Sequence, residues 1–221
     1  MENAPTRTQS EAEVRAAIAA ERRELADLFD SLSADQWNEP GLCTEWRVRE
    51  VAAHRSTGVR LSLPAALAEL AEARGNLHRT TDRIARGDAT ARSTTALVAF
   101  LRDNTHHPWT PPIGGLPAAL GHDVVVHGLD ITVALGRDRR VPEDRIRIPL
   151  DGIRPAILRF FGVDLDGSRL CADALDRSYG SGSPVYRRAQ GLPLPTFGRR
   201  LPDGLLRGEP SNRFTRAAKG A

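Results

Sequence analysis

The chain has 221 residues, enough for one substantial domain with a smaller appendage or for two small domains, and its 40% hydrophobic and 27% charged content is that of an ordinary globular protein. A formal net charge of +3, carried almost wholly by arginines interleaved with acidic residues, reads as solvated helix faces and argues against a nucleic-acid-binding stripe. No apolar run approaches a membrane span, the N-terminus lacks a signal-peptide core, and Cys43 and Cys171 do not make a disulfide framework, so a cytoplasmic protein with reduced thiols is expected.

Ser10 and Glu13 stand at capping-box spacing ahead of an apolar stripe of Val14, Ile18, Leu25, Leu28 and Phe29, which predicts the first helix. Ser33 and Gln36 repeat the box before a turn near Pro40-Gly41. A second helix is expected to start around Thr44, carry Val48, Val51 and Val59, and end before Pro64. Residues 65–86 strongly favour helix, with Gly75 weakening the middle, and a further unit around 94–103 holds Leu97, Phe100 and Leu101. Residues 104–115 (NTHHPWTPPIGG) form a loop, because their prolines and glycines deny any regular element. Leu116 opens a helix that closes at Gly136, with Arg137 behind it. Four main helices joined by loops make an antiparallel bundle the simplest architecture.

From Val141 the character changes. One helix is expected near 147–161, then two strands, 168–176 and 183–188, around a turn at 178–182. The remainder is rich in Pro, Gly and Arg, and its last stretch is expected to be disordered.

The chemistry concentrates in the helix from Leu116. Leu116, Leu120, Val124, His127, Ile131 and Leu135 step by three or four along one core-facing stripe, with Asp123 one turn before His127 and Asp130 one turn after it. A buried carboxylate without compensation costs several kcal/mol, so it requires a partner, and a divalent metal ion is one. Asp123 and His127, at i and i+4, can share an ion, and His54, three residues after Val51, is the third candidate ligand. Three protein ligands leave a coordination position open, which marks a catalytic rather than a structural zinc. Asp130 can accept a hydrogen bond from a ligand imidazole. His122 adjoins Asp123 but points off the stripe, and is the reserve ligand.

The same pattern has plainer readings. A core histidine is more often a hydrogen-bonded structural residue than a ligand, and an Asp–His ion pair has the same helical spacing. His106 and His107 read as loop decoration, His78 receives no role, and Trp37, Trp46 and Trp109 read as packing anchors. Cys43 precedes a helix start, where a thiol pKa can fall, but a buried inert cysteine is the simpler reading.

The segments Leu32 to Trp37 (LSADQW) and Pro40 to His54 (PGLCTEWRVREVAAH) resemble the mycothiol-dependent maleylpyruvate isomerase family of DinB-like metalloenzymes. The segment Asp123 to Ile131 (DVVVHGLDI), running on to Leu135-Gly136, resembles the same family's later metal-ligand helix. More loosely, Ala172 to Asp176, Gly180-Ser181-Gly182 and Gly198-Arg199 are similar to the small domain that follows the bundle there. The resemblance implies a mainly α fold: a DinB-like four-helix bundle over 1–140, followed over 141–221 by a small, partly degenerate α+β region with a disordered tail. It further implies a zinc-type divalent ion on His54, Asp123 and His127, and mycothiol as cosubstrate. The sequence departs from the family where Asp123 replaces a frequent Glu, where Arg47 replaces a frequent Ser or Thr, and in its short Pro-rich end.

The expected function is metal-dependent activation of the thiol for addition to a small electrophile. The outcome is either a stable conjugate, as in a transferase, or a transient adduct that permits cis–trans isomerisation. Two rivals remain at this point: a non-catalytic metal-binding bundle that fixes a ligand or partner, and a zinc-dependent hydrolase. Expected partners are a small-molecule thiol and an electrophile, with no nucleic acid or membrane, in a monomer or homodimer.

Overall fold

The computed structural model describes residues 9–43, 45–111, 114–121, 127–173 and 175–216, and is mainly helical with a small strand region toward the C-terminus. Helix α1 (Glu11–Asp30) starts on a reciprocal box: the Glu13 N–H donates to Ser10 Oγ (3.3 Å) and the Ser10 N–H donates to the Glu13 carboxylate (2.8 Å). Helix α2 (Ala34–Asn38) repeats the device with Ser33 and Gln36.

Helix α3 (Val48–Arg60) begins at Arg47, a poor capping residue, and Glu50 compensates. Its carboxylate accepts from the Arg47 N–H at 2.9 Å and pairs with the Arg47 guanidinium at 2.5 Å. The start expected around Thr44 falls on a residue outside those described. The helix-favouring run at 65–86 divides into α4 (Leu63–Glu72) and α5 (Leu77–Ala91) at Arg74 and Gly75, both with positive φ. Helix α6 (Thr94–Asp103) follows, and α1, α3, α5 and α6 close over a core that includes Leu25, Phe29, Val51 and Leu97.

The helix expected over 116–136 is seen as α7 (Gly115–Leu120) and α8 (His127–Ala134), with 122–126 outside the described residues. Gly136 adopts φ 63°, and the Arg137 N–H reaches back to the Thr132 carbonyl at 2.8 Å, which completes the C-terminal cap.

The single helix expected near 147–161 is two, α9 (Glu143–Gly152) and α10 (Pro155–Phe160). Pro155 pushes the preceding Arg154 into extended backbone (φ −129°, ψ 158°), which ends one helix before the other begins. Beyond them a three-stranded sheet has the order β2-β1-β3, from β1 (Ser168–Asp173), β2 (Ser178–Gly180) and β3 (Ser183–Arg188).

The turn expected at 178–182 is half strand. Strand β2 runs antiparallel to β1, and the chain then crosses the start of β1 so that β3 lies parallel on its other side. Gly182 (φ 115°) makes the crossing possible, since a Cβ there would lie 2.4 Å from the Gly167 carbonyl.

Helix α11 (Pro193–Thr196) and the parallel pair β4 (Leu201–Pro202) and β5 (Thr215–Arg216) complete the described chain. The Pro-rich segment carries a core: Leu192, Leu194 and Leu201 are fully buried with Leu170 and Val185. Residues 217–221, where the disordered tail is expected, lie outside the described residues. No described helix is long and apolar enough to cross a membrane.

Leu42 and Leu129 belong to this second core, whereas Ile131, two residues after Leu129, belongs to the first. Helix α8 is therefore wedged between the two cores, and His127 and Asp130 lie at that seam.

Candidate functional site

His54 on α3 and His127 on α8 meet edge to face, with ring centroids 5.1 Å apart and planes at 80°. His127 is buried, and His54 is half-buried. Trp46 fixes another side of His54, its ring 5.1 Å away, and its own Nε1–H donates to Asp82 on α5 at 2.7 Å. The two histidines thus stand on helices anchored from different parts of the bundle.

Asp130, one turn beyond His127, has no solvent exposure. Its Oδ2 lies 3.0 Å from His127 Nδ1, and Arg199 donates from Nε to Oδ1 and from Nη2 to Oδ2, at 3.1 Å each. Burial alone raises the Asp130 carboxyl, but the Arg199 guanidinium and the His127 hydrogen bond outweigh it and hold it below the ordinary aspartate range. Asp130 is therefore an anion with two partners, and the Nδ1 proton of His127 has a fixed acceptor.

Arg199 comes from the Pro-rich segment after α11. It is kept in place by an Nη1–H bond to the Phe197 carbonyl at 2.7 Å and touches Cys43 Sγ at 3.7 Å through Nη2. Burial pushes the Cys43 thiol up to about 11, with Arg199 opposing in part, so it stays protonated at neutral pH. A cavity of about 400 Å³ opens beside this group, lined by Phe160, Phe161, Phe197, Arg199, Cys43 and His78.

Of the residues expected from sequence, the structure brings together His54, His127 and Asp130. Asp123 and the reserve ligand His122 lie outside the described residues. Among the described residues no three His, Cys, Asp or Glu side chains converge as a metal cradle. His106 and His107 are exposed, and His107 Nδ1 accepts from the Trp109 N–H at 3.2 Å. His78, given no role from sequence, packs at a tilt against Phe160, with centroids 4.8 Å apart, in the cavity wall.

Sequence reasoning missed Arg199 as a partner of Asp130. A carboxylate on a core-facing stripe demands a cation, and Gly198-Arg199 had already stood out, but no periodicity joins positions so far apart in the chain.

These features define a helical bundle with paired imidazoles backed by a buried carboxylate. The family model described as the mycothiol maleylpyruvate isomerase N-terminal domain matches residues 18–132, just over half of the chain. The chain belongs to that family. Comparison with curated proteins and with solved structures gives no match.

Proposed function

We propose that this protein is a divalent-metal-dependent enzyme that uses mycothiol to isomerise, or to form a conjugate with, a small electrophile. His54, Asp123 and His127 are the proposed ligands of a zinc-type ion. The observation that carries the reading is the approach of the two imidazoles. Two imidazoles on one tetrahedral ion, with metal–nitrogen bonds of about 2.0–2.1 Å, hold their centroids roughly 5 Å apart. The separation here is 5.1 Å. The donor set fits too, since His127 Nδ1 is committed to Asp130 and Nε2 is the nitrogen it would offer to a metal.

When bound, an ion of this class lowers the pKa of a coordinated thiol and so supplies a thiolate at neutral pH. The chain's own residues prepare the site for it. Asp130 accepts the Nδ1 proton of His127 and fixes the tautomer, while Arg199 keeps that carboxylate ionised. Trp46 packs its ring against that of His54 and limits how that imidazole can turn. Cys43, protonated at neutral pH, does not compete with the cosubstrate as nucleophile. In this reading the bundle over 1–140 carries the ligands, and the region over 141–221 supplies Arg199.

Metal content and turnover test the proposal together. Protein purified without a histidine tag should hold one divalent ion per chain and consume maleylpyruvate only when mycothiol is present. His54→Ala should lose the ion, and Asp123→Asn should cost at least ~10-fold in affinity, well beyond the effect of His122→Gln. Full metal occupancy in His54→Ala, or turnover indifferent to mycothiol, would refute the assignment.

A further inference from the structure

Trp109 sits on the loop between α6 and α7, and its position is more constrained than that of an ordinary surface tryptophan. A Cβ placed on Gly58 would lie 2.6 Å from Cδ2 and Cε2 of the indole. The ring therefore rests directly on the backbone of α3, a contact that only glycine allows at that position. The loop is tied down from below: Arg22, buried in α1, donates from Nη1 to the carbonyls of Asn104 (3.1 Å), Thr105 (3.2 Å) and His107 (2.8 Å). The Trp109 N–H in turn donates to His107.

Gly58 follows His54 by four residues, so the indole stands one helical turn along the same face of α3, about 6 Å from the His54 position. That face is not sealed. His54, Thr57 and Gly58 are half-buried, whereas Val51, Ala52, Ala53, Arg55 and Ser56 around them are buried.

Packing alone does not account for this tryptophan. Trp37 and Trp46, which do anchor the core, are 5% and 7% exposed, while Trp109 remains half-buried with one ring face spent on Gly58. A rigid aromatic surface held beside a half-open histidine strip is what a flat ligand recognises.

We propose that Trp109 is a specificity-determining wall of the site, on which the planar, conjugated part of an unsaturated organic acid stacks. The inference rests on the function proposed above for one point, that the reacting centre lies beside His54. A thiol adds to a double bond conjugated with a carbonyl, and such an electrophile is flat across the reacting atoms.

The test separates planarity from mere apolarity. Sorbate, a planar conjugated acid, and hexanoate, its saturated counterpart, are titrated into the full-length protein as purified, with binding followed by calorimetry or ligand-observed NMR. Wild type should prefer sorbate by about 5-fold, the equivalent of one stacked π contact. Trp109→Leu, which keeps apolar volume without an aromatic face, should abolish that preference. Gly58→Ala, which drives the indole off α3, should do the same, and Trp109→Phe should retain most of it. In turnover, Trp109→Leu should raise KM for maleylpyruvate by about 5-fold with kcat and metal content little changed. Equal binding of the two acids by wild type, or a preference that survives Trp109→Leu, would overturn the inference. A wild type that prefers sorbate but holds no metal and ignores mycothiol would sustain Trp109 as a ligand wall and reject the proposed function.

Discussion

In the bundle, Leu25, Phe29 and Val51 are buried by helices whose caps and apolar spacing are local, each element announcing itself within about a dozen residues. Beyond Pro155, Leu192, Leu194 and Leu201 reach the same complete burial at the cap of a four-residue helix, within that helix and on a two-residue strand, among prolines and glycines. The first region is held together by regular structure that its sequence encodes locally. The second is held by long-range packing that its local sequence does not announce. The candidate site needs both, because His127 and Asp130 stand on α8 between the two cores and Arg199 crosses from one to the other.

The seam is where the largest effect is expected. Arg199→Met leaves the Asp130 carboxylate buried without its guanidinium, and breaking a buried pair from one side costs about 3–5 kcal/mol. Urea denaturation should show that loss, and adding Asp130→Asn should recover part of it by removing the uncompensated charge. A cost under about 1 kcal/mol would mean that water or a neighbouring group compensates Asp130, and that the two regions are less tightly joined than the contacts imply.

Next in size are matched truncations in the two cores. Leu25→Ala and Leu194→Ala each remove a side chain with no solvent exposure and should each cost about 2–5 kcal/mol. The pair sharpens the comparison, because composition alone reads the surroundings of Leu194 as loop. If Leu194→Ala changed the urea midpoint far less than Leu25→Ala, the Pro-rich segment would be a loose cover rather than a core.

This contrast explains what was legible. The boxes at Ser10 and Ser33, the weak point at Gly75 (though not the full break there) and the cap at Gly136 could be read because each is a local hydrogen-bonding or backbone requirement. His54, His127 and Asp130 stood out as polar groups on or beside apolar stripes, and they are neighbours in the fold. The parallel pairing of β1 with β3 could not be read, since a turn between two strands ordinarily implies a hairpin. Nor could the partnership of Arg199 with Asp130, which depends on how two cores dock. The division of α9 from α10 was available in Pro155, whose effect on Arg154 outweighs the apolar spacing across it.

The smallest effect concerns the start of α3, where Arg47 occupies a position that usually caps through a hydroxyl. Burial alone raises the Glu50 carboxyl, but hydrogen bonds from the Arg47 side chain and backbone outweigh it and hold it below the ordinary range. A carboxyl whose folded value is depressed adds stability above its unfolded pKa and loses that stability as pH falls through the folded value. Arg47→Ala removes the guanidinium but keeps the backbone N–H bond to Glu50, so the expected loss at neutral pH is modest, about 0.5–1 kcal/mol. The loss should shrink in acid, because a protonated Glu50 gains little from Arg47. Stability curves of wild type and Arg47→Ala, measured by urea titration from pH 7 downward, should therefore converge once Glu50 is protonated. A constant offset across that range would show that Arg47 supports α3 by packing its aliphatic stem rather than by its charge.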